Sequence, residues 1–319
     1  MISCEPLVSI VIVNWNVREF LRDCLVSIRE EMRLEPHDYE VIVVDNASAD
    51  DSVSMIESEF DWVRVIRSNE NLGFGRGCNL GYTHAAGTYV MLLNPDTVVT
   101  NHAVDTLLEK MLGDGSVGIV GGRMQDEHGN FRHDSGGALP TLGNVAWNFL
   151  FLRKLLPERL APDPYFMEHD LPGDRDIQWL SGADMLLRRS ALGDRIFDES
   201  FFMYGEDLEL CHRVASAGWR IRYASDATFI HHSGKSYARQ TSEEVQEMIH
   251  KGPRRFFART HGPVALALYD AIYFFGYFAR WFGFTLAAVL SPARFRDRAA
   301  FSRRYLAVMF RLMLKGSNA

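Results

Sequence analysis

Leu7-Val8-Ser9-Ile10-Val11-Ile12-Val13, stopped by Asn14-Trp15-Asn16, is an apolar run of seven residues near the start of the chain. It is short for the apolar core of a secretory signal, and Met1 to Pro6 brings no basic region ahead of it, so it reads as a first β-strand. Similar runs recur at Glu40 to Val44, Trp62 to Ile66, Thr88 to Leu93 and Val117 to Val120, and every gap but the last has room for a helix. This is the βαβαβ rhythm of a doubly wound, mostly parallel α/β sheet. In the first gap Val17, Leu21, Cys24, Leu25 and Ile28 share one face of a predicted helix. Another helix is expected after Asn101, a residue suited to N-capping.

From Gln125 to Asp176 the rhythm breaks into Gly, Pro and His around a Trp/Phe-rich patch, Trp147 to Leu152. A connection that long in a compact domain is expected to be a binding loop or lid. Regular structure resumes with a strand at Ala183 to Arg188, a helix at Glu206 to Ala217 ended by Gly218, and strands at Trp219 to Tyr223 and Thr228 to His231. There is no internal repeat.

With 319 residues, 47% of them hydrophobic and 24% charged, the chain can bury a large core, which excludes disordered and low-complexity architectures. Its formal net charge of −7 argues against nucleic acid as the main partner. That average hides an asymmetry. Residues 241–319 carry 12 Lys and Arg against 5 Asp and Glu, whereas residues 1–240 carry 22 against 36. The cysteines Cys4, Cys24, Cys78 and Cys211 form no C-x-x-C pair, so reduced thiols in the cytosol are expected rather than a disulfide framework or a zinc cluster.

The last 80 residues are helical in character. Pro263 to Leu290 holds nine aromatics, interrupted by Asp270 and Arg280, and is followed by Arg294, Arg296, Arg298, Arg303, Arg304, Arg311 and Lys315. A spanning helix needs ~20 largely apolar residues, and each central charge costs about 2.5–3.5 kcal/mol on insertion scales. An aromatic-rich helix beside a cationic one therefore reads as lying on an anionic membrane face. Packing on the core or on a second subunit, as in a homodimer through these helices, is the alternative, and a true span is a third.

In open α/β sheets ligands bind beyond the carboxyl ends of the strands. Three polar sets stand there: Asn14-Trp15-Asn16, Asp45-Asn46-Ala47-Ser48 and Asn94-Pro95-Asp96. An acid ending the second strand can accept hydrogen bonds from a nucleotide, and one ending the fourth can hold a divalent cation near phosphates. Each of these residues also starts turns or caps helices for purely local reasons. Asn69 to Gly77 is glycine-rich, but position 78 is Cys and the run follows the third strand, so the dinucleotide fingerprint is absent. Its glycines are expected to let the backbone approach a ligand or the next helix. Gly234-Lys235-Ser236 lacks the first glycine of a phosphate-binding loop, because Phe229 occupies that place. His231 and His232 could ligate a metal there, and Lys235 could neutralise phosphate. Lastly, Phe201 to Gly205 delivers Glu206 and Asp207 to the start of a helix, where carboxylates are favoured by the dipole or can act as a general base.

Seven blocks in this order resemble the family 2 glycosyltransferases of the GT-A fold, in particular the bacterial rhamnosyltransferase-like branch. They are V-S-I-V-I-V-N-W-N (8–16), V-V-D-N-A-S-A-D (43–50), N-E-N-L-G-F-G-R-G-C-N (69–79), L-L-N-P-D (92–96), W-L-S-G-A-D-M-L-L-R-R (179–189), F-F-M-Y-G-E-D-L-E-L-C-H-R (201–213) and H-H-S-G-K-S (231–236). The resemblance implies a GT-A domain over residues 1–240, with a Rossmann-like nucleotide-sugar half to about residue 122 and an acceptor half from 123 to 240. An aromatic and basic helical extension would occupy 241–319. Asp45 would read the nucleotide base or ribose, with Asn14, Asn16, Asn71, Gly73, Arg76 and Asn94 in the nucleotide-sugar pocket. Asp96 matches the metal-binding aspartate, although Asn94 replaces the first acid of that motif. His231 would complete the Mg²⁺ or Mn²⁺ site, with His232 as alternative, and Lys235 would meet the diphosphate.

Asp207, beside Glu206, matches the catalytic base. Trp179, Ser181, Gly182, Ala183 and Asp184 would lie by the donor and acceptor sugars. The implied reaction is an inverting in-line displacement from a donor such as dTDP-rhamnose or a UDP-sugar, onto a polyprenyl-diphosphate-linked or polysaccharide acceptor, at the inner face of the cell membrane. An ordinary carboxylate is ionised at pH 7, so Asp207 is expected to act mainly by position. The alternatives are a membrane-associated nucleotide-sugar binding protein without turnover, and a sugar nucleotidyltransferase. The second expects a Gly-rich, Arg/Lys-bearing loop where Asn14-Trp15-Asn16-Val17 stands.

Overall fold

A computed structural model describes residues 5–167, 172–232 and 243–316. The chain divides into two compact units, residues 1–138 with 166–234, and residues 139–165 with 235–319. In chain order the first unit opens with β1 (Val8–Asn14), α1 (Arg18–Glu31), β2 (Tyr39–Asp45), α2 (Ser52–Glu59), β3 (Val63–Arg67), α3 (Phe74–His84), β4 (Tyr89–Leu93), β5 (Thr97–Val99), α4 (Ala103–Gly113), β6 (Val117–Gln125) and β7 (Gly136–Gly137). The chain then supplies α5 (Leu142–Phe149) and α6 (Leu152–Leu155) to the second unit. It resumes the first with β8 (Arg175–Asp176), β9 (Trp179–Leu180), β10 (Asp184–Arg188), α7 (Glu206–Ser216) and β11 (Arg220–His231).

The main sheet runs β3-β2-β1-β4-β10-β6-β11-β5, with β8 also paired to β11, and β7 and β9 form a small ribbon apart from it. Strands β3, β2, β1 and β4 pair parallel, as do β6 and β11, whereas β10 runs against both β4 and β6. The expected mostly parallel, doubly wound sheet is present. Its apolar strands are buried because helices cover them: Leu21, Cys24, Leu25 and Ile28 of α1 and Val104, Leu107, Leu108 and Met111 of α4 join the core formed by Ile10, Ile12, Val41, Val43 and Met91.

Three local expectations differ. The helix after Asn101 is capped by His102, since both residues take left-handed backbone conformations and push the start one position on. The two strands expected at 219–223 and 228–231 are one strand, β11, with a register irregularity between Tyr223 and Thr228 that absorbs Ala224 to Ala227. The glycines after β3 bring the backbone near other protein, not only the next helix: Gly73 has φ +79°, and a Cβ there would lie 2.5 Å from the Phe202 carbonyl oxygen.

The 125–176 segment is not one loop. Residues 139–165 fold with the C-terminal helices, α8 (Glu243–Leu290) and α9 (Pro292–Lys315). Helix α8 is interrupted at Gly262, φ +81°, immediately before Pro263. Helix α9 returns antiparallel along it: Phe284 stacks with Phe295, Tyr277 with Tyr305 at 5.2 Å, and Lys315 Nζ reaches Glu247 Oε1 at 2.7 Å. Their shared core holds Val145, Phe257, Tyr269, Tyr273, Tyr277, Tyr305, Val308, Met309 and Leu312. The two charges within the aromatic segment turn inward. Asp270 accepts both a 2.8 Å and a 2.9 Å bond from the buried Arg254, and Arg280 donates to the carbonyls of Phe149 and Asn148.

His250 is buried among Tyr273, Tyr277 and Tyr305, and its Nε2 lies 3.2 Å from the Tyr277 hydroxyl. Burial disfavours the imidazolium and pushes this histidine down to about 4. A depressed histidine stabilises the fold above the unfolded value near 6.5, and the stabilisation is lost as pH falls toward 4, about 3 kcal/mol in all. Thermal melts between pH 4 and 7 should therefore show a steeper acid decline for the wild type than for His250→Phe. Parallel curves would remove His250 as the cause.

Candidate active site

The carboxyl ends of β1 and β2 are tied side chain to side chain. Asn14 Nδ2 donates to Asp45 Oδ1 and to Ser48 Oγ, each at 3.0 Å, while Asp45 Oδ2 accepts the Ser48 backbone N–H at 3.1 Å. Asn16 Oδ1 accepts the Ala49 N–H, and its own N–H donates to Ser48 Oγ. Asn16 and Ala47 both hold positive φ, a conformation that asparagine adopts comparatively readily and alanine seldom. Asp45 is thus fixed before any ligand arrives. Asn71 Oδ1 accepts the Gly73 N–H at 2.9 Å, and Asn46 Nδ2 donates to the Gly73 carbonyl at 3.0 Å, so the loop entering α3 is strapped to the same edge. Arg76 is more exposed, with Nε 4.0 Å from Glu199 Oε2.

At the end of β4, the short strand β5 pairs antiparallel with β11, placing His231 opposite Thr97, and the His232 N–H donates to the Asp96 carbonyl at 2.8 Å. The pairing brings together side chains 135 residues apart: His231 Nε2 lies 3.1 Å from Asp96 Oδ1 and 3.5 Å from Asn94 Nδ2. His232 instead packs against the Phe20 ring. The described residues include no group of three or more His, Cys, Asp or Glu suited to holding a metal. Lys235 lies outside the described residues.

Residues 179–184 reach this edge because β10 is antiparallel and begins where β4 finishes. Asp184 stands opposite Leu93, and the Asn94 N–H donates to the Ala183 carbonyl at 3.0 Å. The Ser181 N–H bonds the Ser135 carbonyl, Gly182 packs beneath the Phe74 ring, and Trp179 meets Phe166 edge-on at 5.8 Å. Asp184 is fully buried. Its Oδ2 accepts the Gly122 N–H at 2.9 Å, while Oδ1 has no hydrogen-bond partner among the described residues. Burial pushes this carboxyl up to about 7, against the lowering effect of the Gly122 bond and of His231.

Glu206 and Asp207 open α7 after Tyr204 and Gly205, both at positive φ. The segment is fastened to α3, since the Phe74 N–H donates to the Phe202 carbonyl at 3.1 Å. Glu206 is buried, with Oε2 lacking a partner among the described residues, whereas Asp207 is half-buried and its Oδ1 accepts the Leu208 N–H at 2.8 Å. Burial raises both carboxyls, and the charge of Asp207 raises Glu206 further. The ordinary carboxylate expected for Asp207 is therefore replaced by a member of a pair that titrates together above the usual range.

The edge thus offers an acid and amide network that can read a nucleotide, an acid–imidazole pair that can contribute two ligands to a divalent cation, and a raised carboxylate suited to accept a proton. Sequence reasoning placed Asn46 and Ser48 in the polar set that ends β2 without giving them a role, and it missed Gly122 and Ser135; all four hold the others in place. Gly122 and Ser135 act through their backbones, which leave no signal in the sequence.

The Glycosyl transferase family 2 model matches residues 9–193. Over 233 residues the chain is 30% identical to an N-acetylglucosaminyl-diphospho-decaprenol L-rhamnosyltransferase of Mycobacterium tuberculosis, covering 69% of this chain and 75% of the relative. Over 248 residues it is 24% identical to the rhamnosyltransferase WbbL of Escherichia coli, covering 72% and 86%. Among solved structures, the mannosyltransferase PcManGT of Pyrobaculum calidifontis, in complex with GDP-Man and Mn²⁺, superposes with a TM-score of 0.58 at 15% identity, covering 97% of this chain and 88% of that one. The family match and these relatives make the protein a nucleotide-sugar-dependent glycosyltransferase. The chain belongs to glycosyl transferase family 2.

One stability test isolates Asp184. A carboxyl raised to about 7 stabilises the fold fully below the unfolded value near 4, and that contribution is lost as pH rises through 7. Asp184→Asn should gain on the wild type between pH 5 and 8, by on the order of 4 kcal/mol at most, in urea denaturation at each pH. A difference that does not change with pH would show that Asp184 is not held protonated.

Proposed function

We propose that this chain moves a sugar, with L-rhamnose the first candidate, from a nucleotide diphosphate to a polyprenyl-diphosphate-linked or polysaccharide acceptor, inverting the anomeric carbon, in the assembly of cell-wall or surface polysaccharide. The observation that carries the reaction class is the gathering of Asp45, Asp96 with His231, and the strapped Glu206–Asp207 turn around the ends of the central strands. The choice of sugar and acceptor is supported by the names of the M. tuberculosis and E. coli relatives. A dTDP- or UDP-sugar is the expected donor. Residues 1–240 supply the transferase proper and 241–319 its extension, and the enzyme works at the cytoplasmic face of the membrane, where a lipid-borne acceptor is reached.

In this reading Asp45 and Asn14 bind the base or ribose, and Asn16, Asn71, Gly73, Arg76 and Asn94 line the donor pocket. Trp179 and residues Ser181 to Asp184 border the sugars, and Lys235 meets the diphosphate. The half-buried Asp207 carries the pair's first negative charge, because the fully buried Glu206 is harder to ionise. Asp207 then accepts the acceptor hydroxyl proton as the new glycosidic bond forms, while the nucleotide diphosphate departs from the opposite side. Asp96 and His231 are the residues that would hold Mg²⁺ or Mn²⁺. Carboxylate oxygen and imidazole nitrogen 3.1 Å apart fit such a cation, which often takes its remaining ligands from substrate phosphate and water. The ion supplies charge neutralisation for the leaving group when bound.

The test is nucleotide-diphosphate release from dTDP-, UDP- and GDP-sugars with acceptor lipid, with and without Mn²⁺ or Mg²⁺. One donor should turn over, and Asp207→Asn should lower the rate by about 10²–10⁴-fold with donor binding kept. Because Asp207 must be ionised and is raised, the acidic limb of the wild-type kcat/KM profile should lie above the ordinary aspartate value near 4. Asp96→Asn should shift the metal requirement to higher concentration. A wild-type chain that binds no nucleotide sugar would sink the proposal.

A further inference from the structure

The outward face of α8 carries Val264, Leu268, Phe275, Phe282, Leu286 and Val289, all exposed, from 51% at Leu268 to 78% at Val289. At 100° per residue these six fall within an arc of about 60°, a stripe running about 38 Å along the helix. The buried Tyr269, Tyr273 and Tyr277 occupy the opposite side, against α9 and α5. No charge interrupts the stripe, because Asp270 and Arg280, the ionised residues of this stretch, are engaged on the inner side. Just past its end, Arg294, Arg296, Arg298, Arg303 and Arg304 are exposed, with Asp297 the acid among them.

We propose that the second unit lies flat on an anionic bilayer, with the outward stripe of α8 sunk to the boundary between headgroups and acyl chains and the arginines after Leu290 on lipid phosphates. This deepens the lipid-borne acceptor reading above and rests on it for the reason an enzyme of this class should meet a membrane. Charge complementarity selects the occupant: a surface of phosphates attracts this cationic end of the unit, whereas a second copy in a symmetric pair brings the same cations again. Lying in the plane also wins over crossing. A hairpin pushed through would carry Arg303 and Arg304, on the returning helix, into hydrocarbon.

The experiment uses the full chain and sedimentation with phosphatidylcholine vesicles, with and without phosphatidylglycerol. Wild type should sediment with the anionic vesicles and be released by salt. Phe275→Ser/Phe282→Ser/Leu286→Ser should lower partitioning about tenfold or more, and Arg294→Gln/Arg298→Gln/Arg304→Gln should abolish the preference for phosphatidylglycerol. All six sites are exposed, and an unchanged melting temperature verifies that the variants fold. Equal sedimentation of the stripe variant overturns the proposal. So does a wild-type dimer that becomes a monomer in that variant without any lipid binding. Donor turnover assayed without vesicles separates the two readings: vesicle binding without turnover by any donor sinks the transferase proposal and leaves this one standing.

Discussion

Strand β10 runs against both of its neighbours, and that reversal decides which parts of the chain can react with one another. In a wholly parallel sheet the segment before a strand lies at the amino edge, far from the ligand-binding carboxyl ends. Here the residues before β10, Trp179 to Ala183, arrive at the carboxyl edge instead, because Asp184 pairs with Leu93 at the finish of β4. The Asn94–Ala183 backbone bond then joins the putting-down point of β4 to the take-off point of β10. The residues proposed to meet donor and acceptor share an edge for this topological reason.

The second tie is the three-residue pairing of β5 with β11. Strand β5 follows Asp96 directly, so fixing its register against Phe229 to His231 fixes the imidazole beside the carboxylate. Few bonds do this, but each is backbone to backbone in a sheet whose central strands are already buried, so the register is defined by the core behind it. Thr100 Oγ1 adds a bond to the Thr228 carbonyl at 2.7 Å, on the far side of the pair.

Much of this was legible from residue order. The apolar runs of β1, β2 and β4 announced themselves because both sheet faces are covered there, and the four-residue repeat of α1 matched the side it buries. Asp45, Asp96 and Asp207 could be picked out because ends of strands and starts of helices are written in polar residues. What could not be read lies in relations between distant segments. Nothing local in Thr97-Val98-Val99 says that it pairs with residues 130 positions later, and nothing in residues 139–165 says that they fold with the C-terminal helices. The penalty charged to Asp270 and Arg280 shows the same limit. Counted along the chain they oppose a membrane span, yet Arg254, sixteen residues upstream, and two carbonyls of α5 take them up on the inner face.

Several of the buried polar atoms left unmatched among the described residues belong to the residues proposed for the chemistry, while others, such as Trp62 Nε1 and Gln246 Oε1, lie elsewhere. Asn14 Oδ1, Asp184 Oδ1, Glu206 Oε2 and His231 Nδ1 are buried without a hydrogen-bond partner among the described residues. Such a group costs about 1–3 kcal/mol when its bonding is unmet, and natural cores seldom tolerate several together. A sheet with this much buried apolar surface can hold them in place, and doing so leaves carboxyls whose charge is suppressed by their surroundings. Asp184 and Glu206 are raised by burial for the same reason that their second oxygens are unmatched. The unmatched oxygens and the raised carboxyls thus have one origin, polar groups kept out of water by the packing around them.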